Sequence, residues 1–280
     1  MTRKSIDLPD LPAPDVVETL DFESLRTAIL DDLNSRLDDQ VIDLESEPLV
    51  KLIEAFAYRE LLVRQRVNES ARAVMLASAQ GADLDNLAAL LNVERQAGES
   101  DERFRKRVQL AHESYTAAGT AGAYEWHAMD ASQAVVDVSV SRRQPGRVDV
   151  VVLGPDGRLA TDDLRQVQQR IESDEVKPLT DMVAVRNAKV RAYSLEADLT
   201  LYLDPDGETV RQRAMDGVRA YADSIHRLGF DATTSGLIDA LHVEGVQSAE
   251  LTQPAENVVV DDDTVTELTD VTVRIAGRAQ

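Results

Sequence analysis

The 280-residue chain contains no cysteine. That excludes a disulfide framework, a thiolate nucleophile and Cys-ligated zinc or iron–sulfur sites. Aromatic residues make up only 4%, too few to build stacking platforms for bases or sugars. No apolar run approaches the roughly 20 residues needed to cross a bilayer, so membrane insertion is not expected. The opening MTRKSIDLPDLPAPDVVE carries two basic residues with no apolar stretch behind them, and a secretory signal is not expected either. Cations are scarce: 30 Lys and Arg stand against 51 Asp and Glu, for a net charge of −21. A phosphate-backbone binder gains affinity from cations that displace counterions, so nucleic acid is an unsuitable partner.

What is present is ordinary for a globular protein, with 43% apolar and 29% charged residues. The charge is uneven. Residues 1–50 hold 13 acids and 4 bases, residues 51–110 hold 9 acids and 10 bases, and Leu228–Val273 holds 10 acids and no Lys or Arg. Acidic ends therefore flank a nearly neutral segment. A solvated surface explains this, and so does electrostatic matching to a basic partner.

The pattern predicts an α+β protein with an N-terminal all-helical region followed by two small α+β subdomains. Pro9, Pro12 and Pro14 predict an extended arm over 1–20 that lies along another surface. Residues 21–131 read as helical. Phe22, Leu25, Ile29 and Leu33 form one helical face, with Asp21 and Glu23 at its positive end. Pro48 suits a helix first turn. After it, Leu49, Phe56, Val63, Ser70 and Ala77 fall seven apart, as do Ile53, Glu60, Val67 and Val74. This heptad-like stripe predicts a long helix ending near Gly81. It can pack inside its own chain or against another one. Glu60 on the stripe argues against a simple two-stranded zipper and for a mixed bundle. The candidate interface residues are Leu49, Ile53, Phe56, Val63, Val67 and Val74. Shorter helices follow, one with Leu84, Leu87, Leu90 and Leu91, one capped by Ser100 with Phe104, Val108, Ala111 and Tyr115, and one capped by Thr120 with Tyr124, Trp126 and Met129.

Beyond 131 the period changes to two. AVVDVSV (134–140) and RVDVVVL (147–153) predict an antiparallel hairpin, followed by a helix over 161–175 and a strand near Met182–Val185. This is the first subdomain, 132–189. The second, 190–280, has a strand at 190–203, helices at 208–227 and 233–242, and strands at 246–251 and 271–277. Strand, helix, strand thus occurs twice, which raises a duplication of elements as a possibility.

No catalytic motif emerges. GxSxG, GxxxxGK[ST] and GxGxxG are absent. His112, His127, His226 and His242 do not pair at metal-ligand spacing. His242-Val243-Glu244 lacks the downstream cysteines of zinc deaminases. Asp204-Pro205-Asp206-Gly207-Glu208 has its glycine at the wrong place for a calcium loop and reads as a turn. Asp261-Asp262-Asp263 reads as a solvated loop. Acid pairs are so common in the first 50 residues that none stands out as an acid/base dyad. No catalytic residue, metal or cofactor is expected.

Several segments resemble the baseplate assembly protein J family of contractile-tailed bacteriophages. They are LPAPDVVETLDFESL (11–25), AYRELLVRQRVNE (57–69), GADLDNLA (81–88), ESDERFRKRVQLA (99–111), TAAGTAGAYEWHAM (116–129), VVDVSV (135–140), RVDVVVL (147–153) and KPLTDMVAV (177–185). The resemblance implies a structural, non-enzymatic protein of the tail baseplate in the virion, assembled in the host bacterial cytoplasm. Its N-terminal helices would join a wedge bundle with another copy (a homodimer-like pairing) and with the smaller wedge protein I. Its C-terminal subdomains would link wedges into a ring around the hub, near the sheath initiator, with a signal-driven rearrangement releasing contraction. The arm would lie on a neighbouring subunit. The competing expectations are a tail-associated carboxylate-based cell-wall hydrolase, with two acids about 5–10 Å apart across a cleft, and a helical adaptor unrelated to tails.

Overall fold

The computed structural model describes residues 6, 8, 11–12, 14–37, 47–116, 119–203 and 206–279. The chain is α+β, and it forms two compact units that divide after Val108.

In the first unit, α1 (Phe22–Arg36) begins where Asp21 accepts hydrogen bonds from the Ser24 amide and hydroxyl, each at 2.7 Å. These bonds, the hydroxyl's first, hold the Asp21 carboxyl below its ordinary pKa. Its apolar face of Phe22, Leu25, Ile29 and Leu33 is half-buried. α1 packs on α2 (Pro48–Ala73), with Arg26 3.6 Å from Glu54. Pro48 occupies the first turn of α2.

The arm is described only in part, and Pro9 lies outside the described residues. Where it is described it turns, the Val17 amide donating to the Pro14 carbonyl at 2.9 Å. Its end is docked on the chain's own α2. The Asn68 side chain accepts from the Glu18 amide at 3.0 Å and donates to the Glu18 carbonyl at 2.9 Å. Arg64 reaches the Glu18 carboxylate at 2.9 Å.

α2 stops at Ala73, short of the expected end near Gly81, and Ala77 lies off the helix. The cause comes from a distant segment. α4 (Asp101–Ser114) sends Arg105 to the carbonyls of Leu76 and Ala79 at 2.7 and 2.6 Å, while the Ser78 hydroxyl bonds the Arg72 carbonyl at 2.8 Å. These bonds satisfy the 74–80 turn in a non-helical path. Gly81, at φ +50°, opens α3 (Gly81–Ala89) and donates its amide to Asp101 at 3.0 Å. Leu90 and Leu91 fall beyond α3, and Leu90 is exposed.

A buried ion cluster fixes the α3–α4 connection. Glu99 receives two bonds from Arg107, both 2.9 Å, one from the Gln96 amide at 3.0 Å and a further one from Arg103. Burial pushes the Glu99 carboxyl up, but Arg107, the Gln96 amide and the nearby guanidinium charges outweigh it and hold the group below its ordinary value. Arg95 lies 4.5 Å over the Phe104 ring and bonds Asp85 and Asp101 at 2.7 Å.

In the second unit, α5 (Ala121–Ala131) is capped by the Thr120 hydroxyl, which accepts from the Ala123 amide at 3.2 Å. β1 (Asp137–Gln144) and β2 (Arg147–Leu153) form the expected hairpin. β1 begins three residues later than the alternation suggests, because Val135 closes a turn onto Ser132 instead of pairing. α6 (Thr161–Ile171) carries the chain back to β3 (Met182–Asn187), which pairs parallel with β2. Val138, Val150, Val152 and Val185 bury against Tyr124 and Met129 of α5 and Val167 and Ile171 of α6. α5 thus contributes to the core of this first sheet.

The second sheet centres on β4 (Lys189–Leu201), whose Tyr193, Leu195, Ala197, Leu199 and Leu201 bury along one face. They meet α7 (Gly207–Ser224) and α8 (Thr234–Leu241), capped by Asp206 and Thr233. Gly217 permits the α7–α8 approach, since a Cβ there would sit 2.6 Å from the Ala240 carbonyl oxygen. β5 (Val246–Gln253) pairs antiparallel and β6 (Thr264–Arg278) parallel to β4. β6 begins at Thr264 instead of 271, because Val265 enters a small core with Val151, Leu153, Ala188 and Leu228. That core, and Asp263 bonded by Arg186 at 2.6 Å and Lys189 at 3.0 Å, join the two sheets. Burial opposes ionisation of Asp263, and its two cations overcome it, so the carboxyl lies well below its usual range.

Both sheets place an antiparallel strand, a central strand and a parallel strand in that order, but the chain visits them differently. The first sheet runs edge, centre, parallel edge, and the second starts at its centre. A simple tandem repeat of elements would keep one order, and the two sheets do not.

Candidate assembly surface

α2 is amphipathic in two directions. Val50, Ile53, Ala57 and Asn68 are its buried residues. At about 100° per residue they share an arc of about 60°. Leu49, Leu52, Phe56, Val63, Val67 and Val74 share a second arc of similar width, centred about 100° round the helix. These are exposed: Leu49 43%, Phe56 61%, Val63 63%, Val67 51% and Val74 69%, whereas Ile53 is 4%. Five of the six candidate interface residues therefore face outward together, and Ile53 is spent inside the unit. Val74 is the C-cap residue, so the stripe runs to the end of the helix.

Glu60 does not interrupt the stripe as an isolated charge. Its carboxylate accepts from Arg64 at 2.9 and 2.7 Å, and Arg64 also holds Glu18. Contiguous exposed apolar side chains of this size mark an interaction surface more often than an ordinary solvated face. Leu52, Tyr58 and Leu62 are also exposed apolar positions on α2. A strict seven-residue count misses Leu52, although its position three after Leu49 and four before Phe56 is the helical signal. Asn68 was equally silent, since its partner is 50 residues away.

Several groups that could do chemistry are engaged within the fold. A recess of about 370 Å³ is lined by Asp85, Ala89, Asn92, Val93, Glu94 and Arg95, and Asp85 there is bonded by Arg95 at 2.7 Å. Among the described residues no group of three or more His, Asp or Glu converges as a metal site. His242 Nδ1 lies 3.0 Å from the Ile238 carbonyl. His127 is buried edge-on to Trp126, and desolvation, with Arg170 nearby, lowers its pKa. Burial and the 3.0 Å bond to Asp181 raise Tyr124, and burial pushes Tyr193 up to about 12. No described helix is long and apolar enough to cross a membrane. Asp204 and Pro205 of the 204–208 turn lie outside the described residues.

The comparisons with known proteins follow this division. Residues 45–100, which contain α2 and α3, match the Baseplate J-like N-terminal domain. Residues 116–187 match the Baseplate J-like central domain, and 193–274 the Baseplate J-like protein C-terminal domain. The "Baseplate protein J" of Escherichia phage P2 is 42% identical over 91% of this chain and 93% of its own length. A chain of the anti-feeding prophage (AFP) baseplate, seen by cryo-EM with 6-fold symmetrisation, is 18% identical with a TM-score of 0.43. That likeness covers 65% of this chain and 43% of the other. Three consecutive domain matches in family order, together with the near full-length relative, show that this chain belongs to the Baseplate J-like family.

Proposed function

We propose that the protein is a structural, non-catalytic component of a phage-type contractile-tail baseplate, and that it builds wedges through the outward stripe of α2. The observation that carries this is the coincidence of Leu49, Phe56, Val63, Val67 and Val74 on one exposed helical arc inside the segment matched by the family's N-terminal domain. The occupants would be helices of a second copy and of the smaller wedge protein I. The second unit would supply contacts to neighbouring wedges, and its base-free 228–273 stretch would make those contacts salt-sensitive. Contacts to hub and sheath-initiator proteins, residence in the virion tail and assembly in the host cytoplasm belong to the same reading.

The test is light scattering coupled to size exclusion, on the chain alone and mixed with the smaller wedge protein. The expected result is a mixed complex that dissociates when the stripe carries a charge. A monomer that ignores the wedge protein at micromolar concentrations would overturn the reading. The 370 Å³ recess gives the hydrolase no support, since its Asp85 is held by Arg95 at 2.7 Å.

A further inference from the structure

Tyr58 and Leu62 of α2 lie outside the stripe, yet both are exposed apolar side chains. Counting about 100° per residue from Leu49, they fall at about 180° and 220°, while Leu52 and Val63 fall at about 300° and 320°. Between these two exposed apolar edges stand Arg66 at about 260° and Arg59 at about 280°. Both arginines are exposed. α1 does not occupy this side, because its ion pair to α2 runs from Arg26 to Glu54, at about 140°, and the buried arc spans about 40–100°.

The two guanidiniums are open. Arg59 has no hydrogen bond or ion pair among the described residues. The Arg66 guanidinium meets only Glu69, at 3.4 Å, in a pair whose arginine side chain is 80% exposed. Such a pair is weak enough to exchange. Arg64, by contrast, is committed to Glu60 and Glu18.

We propose that this face is a second seat on α2, beside the stripe, for an amphipathic helix of a different chain that carries carboxylates seven residues apart. The seat rests on the reading of α2 as an assembly helix. A partner that buries Leu52 and Val63 on one edge and Tyr58 and Leu62 on the other must cover the guanidiniums between them. Covering removes their water, and a guanidinium stripped of water needs carboxylate acceptors in its place. Arg59 and Arg66 stand two turns apart, about 10.5 Å along the axis. Acids at seven-residue spacing on a partner helix therefore reach both. The α2 of a second copy is a poor occupant. Laid here in either direction it sets arginines against arginines, and like charges across a closed contact repel. Charge at this seat thus selects an acidic helix over a copy of the same one.

The experiment uses the full chain and two synthetic helical peptides, each about four heptads long. They share one leucine stripe and differ only in carrying Glu or Lys at two positions seven apart beside it. Fluorescence anisotropy at low salt is expected to show the Glu peptide bound about tenfold tighter than the Lys peptide. At about 1 M salt that advantage should shrink, because exposed charges are then screened within about 3 Å. Replacing both arginines, Arg59→Glu with Arg66→Glu, is expected to reverse the preference, and Leu62→Asp to weaken the Glu peptide. Val74→Asp, on the stripe about 12 Å beyond Arg66, is expected to leave peptide binding unchanged. Circular dichroism of each variant should match the parent chain, since every position is exposed. Equal affinity for the two peptides, no binding of either, or a preference that survives the double charge reversal overturns the proposal. Loss of binding in Val74→Asp assigns the peptide to the stripe and overturns it as well. The stripe reading fails separately, in the wedge-protein complex.

Discussion

Val63→Asp separates folding from assembly most sharply. Val63 is 63% exposed in the single chain, so the fold loses little by its removal. Val and Asp have similar helix propensities. The new carboxylate would sit four residues after Arg59 and three before Arg66, each able to return about 0.2–0.5 kcal/mol. The net effect on unfolding should stay within about 0.5 kcal/mol, as for other surface substitutions. In the proposed bundle the same position would be buried. Losing the remaining valine burial costs about 1–2 kcal/mol, and desolvating an unpaired carboxylate costs several more. A combined loss of about 3–5 kcal/mol weakens association by roughly 10²- to 10³-fold or more. Circular dichroism during urea unfolding reads the first quantity, and light scattering with the smaller wedge protein reads the second. Ile53→Ala is the mirror image. Ile53 is 4% exposed, so its truncation should cost the first unit about 2–5 kcal/mol in stability. The reasoning fails if Val63→Asp unfolds the helices, or if it assembles as well as the parent chain.

Three further outcomes follow from the interior. Glu99→Gln leaves the buried Arg107 and the half-buried Arg103 beside a neutral partner and should destabilise the first unit by about 3–5 kcal/mol in urea titration. Because the folded state lowers the Glu99 pKa, its stabilisation is present above the unfolded value near 4.5 and is lost as pH falls through the folded one. The parent chain should therefore weaken below about pH 4.5, and Glu99→Gln should flatten that part of the profile. His127 titrates in the opposite charge sense: burial lowers its folded pKa, so the unfolded chain takes up a proton first. Stability of the second unit should fall as pH drops below about 6.5, and His127→Leu should remove that slope in thermal melts at pH 7 and 5. Gly217→Ala places a Cβ 2.6 Å from the Ala240 carbonyl oxygen. It should cost about 1–3 kcal/mol through α7–α8 separation, visible as a lower melting temperature with the first unit unchanged.

Much of the local structure was legible because its causes are local. Asp21, Thr120 and Thr233 cap the helices they precede, since a short oxygen-bearing side chain reaches the amide three residues on. RVDVVVL reads as a strand and is one. The alternation over 193–201 reaches the second core without error, because side chains on a strand must alternate. The end of α2 was not legible. It depends on Arg105, some 29 residues away from the Leu76 carbonyl it binds. The start of β6 depends on a packing partner across two sheets.

The stripe itself divides along the same line. Sequence alone determined that α2 would be long, begin at Pro48 and carry apolar residues at seven-residue spacing. Helical periodicity and turn chemistry are short-range and need no partner. Sequence could not say which part of that apolar surface the chain would use for itself. The tertiary structure decided it. α1 and the Asn68 clamp on residue 18 take the arc of Val50, Ile53 and Ala57. The arc of Phe56, Val63, Val67 and Val74 remains outward because the described part of the unit has no further helix to lay on it. Burial is a property of the neighbours a face acquires, and neighbours are set by contacts far apart in the chain.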